Sequence, residues 1–127
     1  MLLKLGEAGV VELLVSSQVL EEIESVVRRK AAGRLPALAL LLDRSRARSV
    51  PSAKPDLIQR CSELVDHPGD AKILADAWEN RVDFLVTLDK EHFLNATWLT
   101  DKVPFLIGTP GDCLAWIREK LQGEGKE

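Results

Sequence analysis

Cysteine is scarce in this chain. Cys61 and Cys113 stand far apart, with no C-x-x-C pair and no histidine at zinc-ligand spacing. They read as reduced thiols, buried or half-buried, in a cytoplasmic protein. Long apolar runs are lacking too. The longest, Leu35 to Leu42, is broken by Pro36 and falls well short of the roughly 20 residues that span a bilayer. No membrane segment is expected. The opening MLLKLGEAGVVELLV carries Lys4, an early Glu7 and no small-residue cleavage site, which makes it a poor secretory signal. Internal repeats, low-complexity tracts and long linkers are also missing.

What is present fits an ordinary globular protein. The chain has 127 residues, 46% of them hydrophobic and 29% charged, enough for a single domain over residues 1–127 with one core. The net charge is only −3, so no bulk polycation is at hand, but the charge is unevenly spread. From Arg28 to Arg60 there are nine basic residues (Arg28, Arg29, Lys30, Arg34, Arg44, Arg46, Arg48, Lys54 and Arg60) against two acidic ones, Asp43 and Asp56. A basic quarter on an acidic body suits a protein that holds a polyanion on one side. Solvated helix ends explain the same residues, since Lys and Arg favour the last turn of a helix.

The hydrophobic pattern alternates between two periods. Met1 to Ala8 reads as a helix ending at Gly6 or Gly9, and Val10 to Val15 as a buried parallel strand. Ser16-Ser17 then supplies a helix cap, and Val19, Leu20, Ile23, Val26 and Val27 give an amphipathic helix to about Lys30. Glu21 and Glu22 near its start are explained by the positive end of the helix dipole. Pro36 fits the first turn of a nearly all-apolar helix running through ALALLLDRSRAR, either buried or in a subunit contact. Ser49 to Lys54 reads as a loop with a brief extended piece at Val50, and Pro55 begins the helix PDLIQRCSELVD. A last strand, VPFLIG, follows Lys102, and Pro110 starts a terminal helix carrying Leu114, Trp116, Ile117 and Leu121. Trp78 and Trp116 belong to the core, while Trp98 sits in a polar loop. His67 reads as a turn residue and His92 as a surface residue.

The stretch from His67 to Phe93 organises the rest. It reads as a turn at His67-Pro68-Gly69, a helix opening at Asp70 with Ile73, Leu74, Ala77 and Trp78 inward, a short strand from Val82 to Thr87, and Asp89 just beyond. A carboxylate opening one helix and another leaving the next strand converge at the sheet edge where α/β folds place their ligand crevices, a candidate metal site. Each has a local explanation as well: Asp70 as a helix cap and Asp89 as a turn residue. Strands alternating with helices imply a parallel sheet with right-handed crossovers.

Taken together, SSQVLEEI after a strand, DAKILADAW from Asp70, VDFLVTLD ending at Asp89, and a late strand before TPGDCL resemble the PIN-domain nucleases. The likeness runs from Leu2 to Leu121 and is nearest the toxin components of toxin–antitoxin pairs. It implies a three-layer α/β/α fold with a parallel sheet and an Mg²⁺- or Mn²⁺-dependent endoribonuclease. Glu22, with Glu21 as the other register, Asp70 and Asp89 take the catalytic and metal-ligand positions, and Thr87 the supporting hydroxyl beside Asp89. RNA is the implied substrate, and Arg28, Arg29, Lys30, Arg44, Arg46 and Arg48 would engage its backbone. An antitoxin-like protein and a homodimer through the Leu35 helix are the implied partners.

One departure stands out. The family begins with a central strand ending in an aspartate, and this sequence starts after it, which is expected to weaken or abolish activity. Mg²⁺ wants near-octahedral oxygen ligands, and three carboxylates still suffice for one ion, but a misplacement of about 1 Å costs on the order of 10²-fold in rate. The strand is accounted for by an upstream start, by a partner chain, or by a degenerate domain. The open gap is expected to close by pairing of the Val10 strand with the Val82 strand, or in a dimer. A non-catalytic PIN-like module binding RNA or a protein is the alternative function. A phosphoacceptor receiver domain fits less well, because it also needs an acidic pair after its first strand.

Overall fold

Ser16 closes a strand and opens a helix in one step, because its backbone is extended while its Oγ accepts the Val19 N–H at 3.2 Å. The computed structural model in which this is seen describes residues 1–87, 93, 99 and 101–125. The chain divides into two compact units, Met1–Ser52 and Ala53–Glu127.

The first unit comprises helix α1 (Leu2–Glu7), strand β1 (Leu14–Ser16), helix α2 (Ser17–Ala31), a 3₁₀ turn (Ala32–Arg34), helix α3 (Leu35–Arg44) and strand β2 (Arg48–Val50). β1 and β2 are parallel, with Leu14 opposite Arg48 and Ser16 opposite Val50. α2 folds back from the end of β1 and packs against both strands. At about 1.5 Å per residue it is roughly 22 Å long, about twice the strand, so its basic end lies beyond the strands' beginnings. A Cβ on Gly6 would stand 2.5 Å from the Ser45 carbonyl, so only glycine lets α1 press this closely on the end of α3. Among the described residues of this unit Val50 is the only buried apolar side chain. Neither α2 nor α3 buries a residue.

Three expectations are corrected here. The strand expected over Val10 to Val15 occupies Leu14–Ser16 instead. Gly9 turns the chain with φ +77, and the Val10 and Val11 amides both bond back to the Leu5 carbonyl, leaving them unable to enter a ladder. The helix expected to run through Arg48 ends at Arg44. There Arg46 adopts φ +59, and the Arg46 and Ala47 amides close on Asp43 and Leu42 in a left-handed helix stop. The strand that follows, β2, takes the place beside β1 that was expected for the Val82 strand.

The second unit comprises helices α4 (Pro55–Ser62) and α5 (Pro68–Glu79), strands β3 (Phe84–Val86) and β4 (Leu106–Gly108), and helix α6 (Pro110–Gly125). β3 and β4 are parallel, with Phe84 opposite Leu106. Alternation along them sends Leu85 and Ile107 into the core built around Cys61, Ala71, Leu74, Ala75, Phe93, Leu99 and Phe105. The other face carries Phe84 against Trp116 of α6, ring centroids 5.6 Å apart. Trp78, half-buried, meets Phe105 edge-on. Thr109 and Asp112 cap α6 reciprocally: the Asp112 N–H donates to Thr109 Oγ1 and the Thr109 N–H to Asp112 Oδ2.

The helix expected to open at Asp70 opens at Pro68, with His67 as the residue before it, so Asp70 is the third helical residue rather than the cap. Proline needs no N–H partner in a first turn, which draws the start back to it. β3 is shorter than the expected Val82 to Thr87 for the reason already met at β1. Arg81 is left-handed, φ +53, and the Val82 amide bonds to the Ala77 carbonyl of α5. Together the helices and short parallel strands make an α/β protein.

Candidate metal and nucleic-acid residues

A four-residue turn joins α5 to β3, and Leu85 packs against the core cluster to which Ala71, Leu74 and Ala75 belong. A connection this short returns the chain on itself, which turns the first turn of a helix toward the end at which the next strand leaves the sheet. Asp70 occupies that first turn, almost fully buried, and Thr87 follows the strand, its N–H donating to the Gly108 carbonyl at 2.9 Å. This is the C-terminal edge at which open α/β sheets bind ligands. Asp89, the other carboxylate assigned to it, lies outside the described residues, as do His92 and Trp98. Oxygen donors from a carboxylate and a hydroxyl suit a hard cation such as Mg²⁺ or Mn²⁺ rather than a soft one. Among the described residues no three His, Cys, Asp or Glu groups are gathered to hold a metal.

Glu22 belongs to the first unit. It sits on the second turn of α2, exposed, and its Oε1 accepts a long 3.4 Å hydrogen bond from Gln18 Nε2. Gln18, Glu21, Glu22, Ser25, Val26 and Arg29 line a shallow open hollow along this helix. Both glutamates reach it, so the hollow does not choose between the two registers.

The basic residues fall into two kinds. Arg28, Arg29 and Lys30 fan out from the last turn of α2, and Arg44 and Arg46 flank the turn after α3, all exposed. Arg48 is different: its Nη2 lies 2.8 Å from Glu12 Oε1 in a surface ion pair.

Asp76 is the acid that pattern reading passed over. It is buried on α5, and its Oδ1 accepts the Ala53 N–H at 2.6 Å, while neighbouring Glu79 accepts the Lys54 N–H at 3.0 Å. Burial pushes its carboxyl above the usual range. The Ala53 N–H pulls it back, Glu79 adds to the rise and Lys72 opposes it. The available signal was an acid inside the otherwise apolar ILADAW. Cys61 and Cys113 are free and buried, and burial raises both thiols, opposed at Cys61 by Arg60. They are poor nucleophiles and poor ligands in this state.

Comparison with known proteins adds one finding. The PIN domain matches residues 1–91 of the 127, which takes in α1 to β3, Glu22, Asp70, Thr87 and Asp89. No curated protein and no solved structure matches the chain. A carboxylate on the first turn of α5, a hydroxyl leaving β3, and a match across more than two thirds of the length agree with one another, and the chain belongs to the PIN-domain family.

Proposed function

We propose that this chain is a metal-dependent endoribonuclease. PIN domains are of nuclease type in general; the finer reading assigns this one RNA as substrate, Mg²⁺ or Mn²⁺ as cofactor, and a toxin-like role. The observation that carries it is Asp70 on the first turn of α5, within a PIN-domain match that also spans Glu22, Thr87 and Asp89. Glu22, Asp70 and Asp89 keep the ligand roles that the resemblance gives them. When bound, the divalent ion supplies Lewis-acid polarisation of a phosphate and a nucleophile from water. Asp70, held on a helix with little freedom to move, orients that chemistry. Thr87 supports Asp89 from the end of β3. Arg28, Arg29, Lys30, Arg44 and Arg46 draw in the polyanion, with Arg48 contributing only when Glu12 lets go.

The partners belong to the same proposal. Leu40 and Leu41 are about half exposed on α3, which supports a homodimer through that helix, with an antitoxin-like protein as the further partner. Two free, buried thiols suit a reducing cytoplasm, and no helix among the described residues is long and apolar enough to cross a membrane.

The test is RNA cleavage in Mg²⁺ or Mn²⁺ by the wild type, Asp70→Asn and Asp89→Asn. Loss of cleavage in both variants is expected, and cleavage surviving either substitution overturns its role. The second reading is a non-catalytic module that binds RNA or a protein. It is favoured by Leu40 and Leu41, about half exposed on α3, an apolar surface open to a protein partner. Calorimetric titration decides between the two: Mn²⁺ that fails to bind, with RNA left intact, establishes the module.

A further inference from the structure

Helix α4 begins without a cap of its own. Its N-cap residue, Lys54, makes no side-chain hydrogen bond to the helix, and the third helical position, where a capping box puts Glu or Gln, holds Leu57. Pro55 brings no N–H to satisfy at the first position, but the amides of Ala53 and Lys54 just before it need acceptors, and Ala53 is buried. Both amides are taken by α5. Asp76 Oδ1 accepts the Ala53 N–H at 2.6 Å, and Glu79 Oε2 accepts the Lys54 N–H at 3.0 Å. Three positions apart on one helix, the two carboxylates share a face, and they lie beside the positive end of the α4 dipole. The missing half of a capping box is thus supplied from 25 positions away.

What these bonds add is register. α4 and α5 pack on each other within the second unit, and the α5 residues with no exposed surface are Ala71, Leu74 and Ala75. Two of those three carry only a methyl group, and apolar contact is non-directional, so such a surface sets how close α5 lies while leaving its rotation and slide weakly determined. Hydrogen bonds have preferred angles. Two of them, from successive amides to carboxylates one turn apart, define rotation and slide together. Asp70 rides on the same unbroken helix, about 9 Å along the axis from Asp76.

We infer that Asp76 and Glu79 are positioning residues: by holding the chain where it enters the second unit, they fix the rotation of α5 and with it the direction in which Asp70 presents its carboxylate. The inference rests on the nuclease reading for what Asp70 does, and it deepens that reading by naming what aims the ligand. Neither acid touches metal or RNA in this role, which calls for an acceptor oxygen rather than a charge.

Isosteric amides keep the acceptor and drop the charge, so they separate positioning from ligation. In the full-length protein, Glu79→Gln and Asp76→Asn are expected to keep kcat for RNA in Mn²⁺ near the wild-type value. Glu79→Ala and Asp76→Ala are expected to lose about tenfold or more in kcat with KM unchanged, the kind of loss that a small misplacement of a reacting group causes. Asp70→Asn, by contrast, abolishes cleavage. Glu79 is exposed, so Glu79→Ala covers the case in which Asp76→Ala does not fold. Backbone NMR reads the same coupling without cleavage. The Ala53 and Lys54 amides are expected to exchange slowly in the wild type, and Lys54 to lose roughly tenfold or more of its protection in Glu79→Ala, as for a hydrogen bond to a charged group. The Asp70 and Ala71 resonances are expected to move in Glu79→Ala and to stay in place in Glu79→Gln. Rapid exchange of both amides in the wild type overturns the clamp. A folded Glu79→Ala with unmoved Asp70 resonances overturns the positioning role, as does an amide variant that loses as much activity as its alanine counterpart. A wild type that shows the NMR pattern but neither cuts RNA nor binds Mn²⁺ sinks the nuclease reading and leaves the clamp standing.

Discussion

Asp76 shows how a single buried acid ties distant parts of a chain together. Its partner, Ala53, is 23 positions away, so nothing local in the sequence marks the contact. Asp70, by contrast, is marked locally as an acid at the start of a helix, whereas Thr87 is singled out only by the family resemblance. Asp76 also makes stability depend on pH with a definite sign. Its carboxyl titrates above the unfolded value of 3.8, chiefly because it is buried. The protonated form is therefore the one the fold favours, so its contribution is fully present below that value and is lost as pH rises through the folded pKa. Asp76→Asn carries no charge at any pH. Urea unfolding of wild type and variant between about pH 4 and 7 should show the wild type losing stability relative to Asn as pH rises; parallel profiles would refute this. Asp76→Ala leaves the Ala53 N–H buried without its acceptor, an expected cost of about 1–3 kcal/mol. Arg46 and Arg81, at φ +59 and +53, carry a different kind of strain. A left-handed backbone costs a non-glycine residue roughly 1–2 kcal/mol, so glycine at either position should stabilise by about 0.5–1 kcal/mol, less than the full penalty because glycine loses more entropy on folding. Arg46→Gly should at the same time weaken nucleic-acid binding if that arginine touches phosphate, a trade that urea melts and binding read separately.

Elements were legible where a periodic apolar pattern coincided with hydrogen bonding, and illegible where the two parted. Both VVELLV and VDFLVT mark real strands, but the first amides of each are taken by the preceding helix, Val10 and Val11 by Leu5 and Val82 by Ala77. Hydrophobicity reports burial; ladders need free N–H groups as well. β2 was nearly missed for the opposite reason. It is three residues long, RSV, with only Val50 buried, so it has strand pairing without an apolar run. α5 was recognised, yet its most buried face includes Ala71 and Ala75, small residues that suit close packing in the core, where α5 meets α4. The junction of β4 and α6 offers a sharp test of such close approach. A Cβ on Gly108 would lie 2.9 Å from the Cβ and Oδ2 of Asp112 and 3.0 Å from Phe84 Cζ. Gly108→Ala must therefore push aside both the capping carboxylate of α6 and the ring that meets Trp116. An expected loss of about 1–3 kcal/mol follows from overpacking. Asp112→Ala, which removes the cap without crowding, should cost about 1 kcal/mol. Thermal melts of the two variants distinguish crowding from capping, and equal losses would mean that Gly108 matters only through the cap.

At the scale of the whole molecule the buried apolar side chains are unevenly distributed between the two units. The buried cluster draws all its members from Ala53 onward, while in Met1–Ser52 the helices α2 and α3 bury none of their residues. Amphipathic helices of this kind satisfy the sequence pattern of a core without having one, and the pattern alone does not tell the two cases apart. Cooperative unfolding arises from a shared interior whose contacts are lost together, so the two units should differ when each is expressed by itself. Residues 53–127 are expected to give a single sigmoidal urea transition, followed alike by tryptophan fluorescence and far-ultraviolet circular dichroism. Residues 1–52 are expected to show helical signal that declines gradually, since helices of 10 and 15 residues are marginal without packing. A sharp transition in the shorter fragment would mean that β1, β2 and Val50 suffice as a nucleus, and that the exposed leucines of α3 need no cover. A gradual loss there, beside a cooperative second fragment, would locate the protein's own stability in the unit that carries Asp70 and leave α2 and α3 as surfaces whose apolar residues await another chain.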